Sequence, residues 1–122
     1  GLGDVYKRQL PGRALFVVRD ENTIRFEEPV AVVIHDINVG GIFLTSAYEF
    51  HKDDSACVDI ELVDGYHLNT MATILRVQTD SDGGIIGYGC AFEALTAAQE
   101  DAIGRYINYV QLLMRAKQGE QD

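Results

Sequence analysis

The sequence contains few basic residues and cysteines, and it has no long apolar run. Its 122 residues include 10 lysines and arginines against 19 aspartates and glutamates, a net charge of −9. This balance argues against binding a nucleic-acid polymer, because that binding depends on cations that neutralise phosphates. No apolar run reaches the ~20 residues that a membrane crossing needs, and no secretory signal pattern is present. We therefore expect a cytoplasmic protein without membrane insertion.

The residue types that carry most catalysis and metal binding are also sparse. Cys57 and Cys90 lie far apart in the sequence, which indicates two small buried hydrophobic residues rather than a metal site. His35, His51 and His67 have a spacing without meaning on a strand or helix, so we expect solvated or hydrogen-bonded side chains. No serine occupies a nucleophile elbow, and no glycine-rich loop precedes a helix with a lysine. The sequence predicts no metal, no cofactor and no enzyme activity.

Positive charge is concentrated at the start of the chain. Residues 1–25 hold five basic residues against three acidic ones, so the rest is strongly acidic. This leader could serve a small-anion site, or its arginines could simply be solvated along strands. The chain does not begin with methionine, and residues 1–9 (GLGDVYKRQ) resemble translated sequencing-adaptor DNA. We expect residues 1–9 to be a non-native leader and residues 10–122 to form a single domain.

The body of the chain shows the pattern of short strands separated by turns. Ala56, Val58, Ile60 and Leu62 alternate with mostly polar residues, which predicts a half-buried strand. Asp64-Gly65 predicts a type I′ hairpin turn, and the carboxylates of Asp53-Asp54 are expected in a solvated loop. Pro29 interrupts the strand pattern, which fits an edge position or the first residue of a strand. A shift of the apolar phase between Leu68 and Met71 predicts a bulge.

A single helix is predicted at the C-terminal end, over Ala97–Lys117. Thr96 and Gln99 have the spacing of a capping box, and Gly119 is expected to stop the helix. An apolar stripe at helical spacing is expected to pack on the sheet or on a partner. It consists of Ile103, Tyr106, Ile107, Val110, Leu113 and Met114. Short strands at hairpin spacing followed by one amphipathic helix predict an antiparallel β-barrel closed by a helix.

The segment Ile34–Leu44 (IHDINVGGIFL) carries a resemblance to a known family. PilZ domains have an aspartate or asparagine, one spacer, a serine, two spacers and a glycine at this position. Asp36, Asn38 and Gly41 follow that spacing, with asparagine where serine is usual. The later segments ATILRV, GYGCAF and RYINYVQLLMRAK also resemble the family, so the likeness covers residues 13–117. It implies a six-stranded antiparallel, Greek-key, split-barrel-like β-barrel with a C-terminal α-helix.

The resemblance implies a receptor for the bacterial second messenger cyclic di-GMP. In such a site Asp36 would accept from guanine N–H groups, Asn38 would donate and accept, and Gly41 would leave the backbone open to the ligand and permit a positive φ. PilZ domains complete the site with two arginines separated by three residues, which contact phosphate and stack on purines. The corresponding residues here are Arg8 and Arg13, which four residues separate.

Two functions follow from this resemblance. In the first, the domain binds cyclic di-GMP and passes the signal to a partner protein or fused effector domain, for example in flagellar or exopolysaccharide machinery. In the second, the domain is a degenerate PilZ-like interaction module that binds no nucleotide. The motif residues would then only cap their own turn.

Overall fold

The computed structural model describes residues 9–121, with side chains as far as residue 119, and shows a closed barrel of six antiparallel strands. The strands are β1 (Leu10–Arg19), β2 (Asn22–Asn38), β3 (Gly41–Ser46), β4 (Ser55–Glu61), β5 (His67–Thr79) and β6 (Ile85–Phe92). They follow the order β1-β2-β3-β6-β5-β4 around the barrel. Because β4 returns to pair with β1 after three hairpin-connected strands, the connection is a Greek key. The predicted fold class is confirmed.

The core fills the inside of this barrel, and the alternation in β4 is confirmed as its clearest sequence signal. Ala56, Val58, Ile60 and Leu62 are all buried. Cys57 and Cys90 are buried free thiols, as expected. One end of the barrel is plugged by a chain of edge-to-face aromatic contacts that joins Phe26, Tyr48, Phe50 and Tyr88. None of the helices within the described residues is long and apolar enough to cross a membrane.

The helix α1 (Ala97–Gln121) closes the other end of the barrel. Its capping box is confirmed, since Thr96 N–H donates to Gln99 Oε1 at 2.9 Å and Gln99 N–H donates to Thr96 Oγ1 at 3.1 Å. Ile103 and Tyr106 are buried on the barrel, whereas Met114 is exposed. The apolar stripe is therefore packed only along the first half of the helix. Gly119 does not end the helix, because no left-handed residue is needed where the chain continues in helical form.

One local prediction about a strand end was wrong, and the structure decides between the two alternatives of another. The turn at Asp64-Gly65 is not type I′, because only Gly65 has a positive φ; Gly65 N–H donates to Leu62 O at 3.0 Å, giving a type I turn followed by a left-handed glycine. Pro29 is not the first residue of a strand, because β2 runs through it, and its surroundings correspond to the edge position that was the other expectation. Residues 26–29 have no register partner among the described strands. The proline, which has no N–H group to donate, therefore interrupts no hydrogen bond between strands.

The bulge predicted near Leu68 and Met71 is also absent, since β4 and β5 pair in one uninterrupted register. The apparent phase shift has another cause: Thr70 points inward, where its hydroxyl donates to Ala94 O at 3.1 Å. Register shifts occur instead at Leu15 in β1, at His35 in β2, at Leu75 in β5 and at Ile86 in β6. The shifts at His35 and Leu75 border the candidate site.

Asp54 is buried rather than solvated, so that prediction was wrong. Arg19 donates to both of its carboxylate oxygens, from Nε at 2.8 Å and from Nη2 at 2.7 Å, and His51 N–H donates at 2.8 Å. Burial works to raise the pKa of Asp54, but the hydrogen bonds from Arg19 and His51 outweigh it and leave that pKa below its usual value. This ion pair fastens the loop before β4 to the end of β1.

Candidate functional site

A row of four residues crosses the outer face of the barrel from β2 to β5. The bulge at His35 places Asp36 opposite Phe43, and Phe43 lies opposite Gly89 on β6. The bulge at Leu75 places Arg76 opposite the same glycine. The row spans three strand spacings, roughly 14 Å. It therefore carries an acid at one end and a base at the other, with an aromatic ring and a glycine between them.

Glycines leave the middle of this face without protruding side chains. A Cβ atom on Gly41 would lie 1.9 Å from Cys90 O, one on Gly87 would lie 2.5 Å from Phe43 Cζ, and one on Gly89 would lie 2.6 Å from Arg76 Nε. Gly41 does not adopt the left-handed conformation, so it is the close approach of β6 that requires glycine there. We refer to the surface over Gly41 and Gly89 as the glycine floor.

The glycine floor underlies a cleft of about 390 Å³. Three of the five residues predicted for ligand binding, Asp36, Asn38 and Gly41, line this cleft together. The remaining lining comes from Gly40, Ile42, Phe43, Leu75, Arg76, Gly89, Cys90 and Ala91. The cleft thus combines a few polar groups with mostly small or apolar side chains, which is typical of small-molecule sites.

Asn38 shapes the turn between β2 and β3. Its Oδ1 accepts from Gly40 N–H at 2.7 Å and from Gly41 N–H at 3.1 Å. This self-capped turn is the arrangement expected in the alternative function without nucleotide. The same geometry leaves the Nδ2 group of Asn38, with its two N–H donors, available to a ligand in the cleft.

The two charges of the row have no partner among the residues that the structure describes. Neither Asp36 nor Arg76 makes a hydrogen bond or ion pair with another residue in the part of the chain that the structure describes. His35 borders them, with Nε2 2.8 Å from Thr45 Oγ1 and its ring centroid 6.3 Å from that of Phe43. Sequence reasoning missed Arg76, because only the pairing of β5 with β6 and the bulge at Leu75 bring it to the cleft.

Arg13 lies elsewhere, on the outer face formed by β1 and β4. Its Nη2 donates to Asp59 Oδ2 at 2.9 Å, and His67 Nδ1 lies 3.2 Å from Asp59 Oδ1. These residues, with Glu61, line a separate cavity of about 360 Å³. Burial works to raise the pKa of Asp59, but the hydrogen bonds from Arg13 and His67 outweigh it and lower that pKa. Arg8, the other predicted arginine, lies outside the described residues.

The cleft shows no arrangement for metal-dependent or thiol chemistry. No group of three His, Cys, Asp or Glu side chains within residues 9–119 is placed to hold a metal ion. Cys90 borders the cleft from the core side, where burial raises the pKa of its thiol to about 12. A thiol with such a pKa is protonated near neutral pH and is a poor nucleophile.

Comparison with known proteins agrees with this architecture. The PilZ domain family model matches residues 6–109. A solved PilZ domain, that of YcgR from Escherichia coli with c-di-GMP, matches with a TM-score of 0.63 and 12% sequence identity, covering 91% of this chain and 88% of that one. At this identity the likeness shows the fold alone. No curated protein matches the chain. The family match spans all six strands of the barrel and includes the segment with Asp36, Asn38 and Gly41, and the chain therefore belongs to the PilZ domain family.

Proposed function

We propose that the cleft binds cyclic di-GMP and that the domain is a receptor rather than an enzyme. The observation that carries the proposal is the convergence of the three motif residues, Asp36, Asn38 and Gly41, on one cleft. No described residue bonds to the exposed carboxylate of Asp36, so within residues 9–119 it can accept hydrogen bonds without first breaking any of its own.

The chemistry of guanine suits these groups. The carboxylate of Asp36 is an acceptor for the N1–H and N2–H donors of a guanine edge, and charged acceptors give the stronger hydrogen bonds. The Nδ2 group of Asn38 can donate to guanine oxygen or nitrogen acceptors. The glycine floor lets a flat base approach the backbone, with the ring of Phe43 beside it. Adenine, which lacks the N1–H donor, fits this acceptor poorly.

The predicted basic half of the site consists of Arg8 and Arg13. The chain enters β1 next to the cleft, since Leu10 lies opposite Ile34, two residues before Asp36. Residues upstream of Leu10 are therefore attached to the barrel at the end where Asp36 and the cleft lie. Arg13 is not brought to the cleft in the described structure, and its guanidinium would have to leave Asp59 to bind ligand. Its role in binding stays a prediction.

The relationship to the E. coli YcgR domain supports the proposed ligand, because that domain was solved with c-di-GMP. We further propose that this receptor acts in the bacterial cytoplasm and transmits the bound state to a partner protein or a fused effector domain. The alternative is an interaction module without a ligand. The self-capped turn at Asn38 and the Arg13–Asp59 ion pair are the two observations that favour this alternative.

Calorimetric titration distinguishes the two. The protein, with the residues that its own gene encodes before Leu10, is titrated with cyclic di-GMP and, as a matched ligand, cyclic di-AMP. We expect binding of cyclic di-GMP at micromolar affinity or better, about −8 kcal/mol, and much weaker binding of cyclic di-AMP. Asp36→Ala should weaken cyclic di-GMP binding about tenfold to hundredfold without lowering the melting temperature. Absence of both heat and a melting shift with excess cyclic di-GMP would leave the interaction module as the function.

A further inference from the structure

Arg76 lies across the floor of the candidate cleft. A Cβ atom built on Gly89 would meet Arg76 Nε at 2.6 Å, Cγ at 3.0 Å and Cδ at 3.4 Å. The arginine side chain therefore occupies the space that a side chain on β6 would fill. Because Gly89 is on β6, which separates β5 from β3, the side chain of Arg76 extends from β5 over β6 in the direction of β3.

The charge of Arg76 is not used by the fold. The described residues offer it no hydrogen bond and no ion pair, although 19 aspartates and glutamates are present in the chain. Arg19 and Arg13, in contrast, both bond to carboxylates. Asp36 is in the same row as Arg76, but roughly 14 Å of sheet separates their backbones, so the two charges do not neutralise each other.

We infer that Arg76 binds a phosphate of the ligand and is the cationic half of the site within the barrel itself. This inference rests on the proposed function. The nucleotide offers N–H donors at the guanine edge and negative charge at the phosphates, and the cleft offers an acceptor at Asp36 and a cation at Arg76. The guanidinium donates from a planar fork that matches phosphate oxygens, and its stem is already supported on the glycine floor. Little side-chain freedom is then lost on binding.

Charge-removing variants test this role. Arg76→Gln should weaken cyclic di-GMP binding about tenfold or more, the usual effect of losing a charge-assisted hydrogen bond. Arg76→Lys keeps the charge without the fork and should fall between the parent and Arg76→Gln. Arg25→Gln makes the same charge change at an exposed arginine near the opposite barrel end, beside Phe16, and should leave the affinity unchanged. Melting curves of the two Arg76 variants should match the parent, since no described residue makes a hydrogen bond or ion pair with Arg76.

Gly89→Ala provides an independent test of the geometry. The added methyl group displaces the arginine stem and also stands in the way of a flat base, so the loss of affinity should be larger in the parent background than in Arg76→Gln. Additive losses in this double-mutant cycle would contradict the inference. Salt should also weaken binding by the parent more than binding by Arg76→Gln.

Different results would contradict the proposed function and the role of Arg76. If the parent binds cyclic di-GMP and Arg76→Gln binds equally well, the inference is wrong and the proposed function stands. If the parent does not bind at all, the proposed function is wrong and the inference falls with it.

Discussion

Two outer faces of the same barrel carry an acid and a base in cross-strand rows, but they use them differently. On the β1–β4 face, Arg13 and Asp59 are direct register partners and form an ion pair at 2.9 Å. On the β2–β5 face, Asp36 and Arg76 are at opposite ends of a row with Phe43 and Gly89 between them. On the first face the two charges pair with each other. On the second face no described residue pairs with either charge, so both can bind a ligand.

This difference separates a structural charge from a candidate binding charge more clearly than residue type does. Asp54 and Asp36 are both aspartates next to strand ends, yet Asp54 is 1% exposed and accepts three hydrogen bonds. Asp36 is exposed and accepts none from the described residues. Removing Asp54 or its partner should therefore affect folding, whereas removing Asp36 should affect only binding.

The largest expected effect tests the structural side of the comparison. Arg19→Ala leaves Asp54 as an unpaired buried carboxylate, and breaking such a pair costs about 3–5 kcal/mol of unfolding free energy. Urea unfolding measures this loss. Lys52→Ala is the matched control. Both side chains of the Lys52–Asp53 pair, at 3.6 Å, are exposed, so this pair should contribute only about 0–1 kcal/mol to the unfolding free energy. Equal losses in the two variants would show that the buried pair has no special structural role.

Acid should remove the same interaction. The pKa of Asp54 is lowered in the folded state below the ordinary value of 3.8, so this group stabilises the fold fully at pH values above 3.8. That contribution is lost as the pH falls through the lower, folded-state pKa. Asp54→Asn should consequently be less stable than the parent at neutral pH, and the difference should shrink in acid. A constant difference from pH 7 to pH 2 would contradict this assignment.

The smallest expected effect concerns the β1–β4 face. Asp59→Asn frees Arg13, whose side chain is 57% exposed, so the loss in unfolding free energy should be about 0–1 kcal/mol. Because this face lines a separate cavity, we expect the affinity for cyclic di-GMP to stay the same. Calorimetry on this variant also tests the role predicted for Arg13. Tighter binding would mean that Asp59 competes with the ligand for Arg13, which would join the two faces into one site.

Local signals in the sequence predicted much of this fold, and non-local pairing explains what they missed. The alternation at Ala56–Leu62 and the capping box at Thr96 depend on neighbours in the chain, so both predictions were confirmed. The motif spacing likewise brought Asp36, Asn38 and Gly41 to one cleft. The burial of Asp54 depends on Arg19, 35 residues away, and the position of Arg76 depends on a bulge and on a β5–β6 pairing. Neither is encoded in a short window.

Mapping cyclic di-GMP onto the barrel by NMR tests the central claim most directly. During a titration of isotope-labelled protein, the account predicts that the backbone amide signals of Asp36, Gly41 and Gly89 shift, together with the Nε–H signal of Arg76. The amide signals of Asp59 and His67, on the other face, should stay in place. Shifts that cluster on the β1–β4 face, or a spectrum that excess cyclic di-GMP leaves unchanged, would contradict the assignment of this cleft as the nucleotide site.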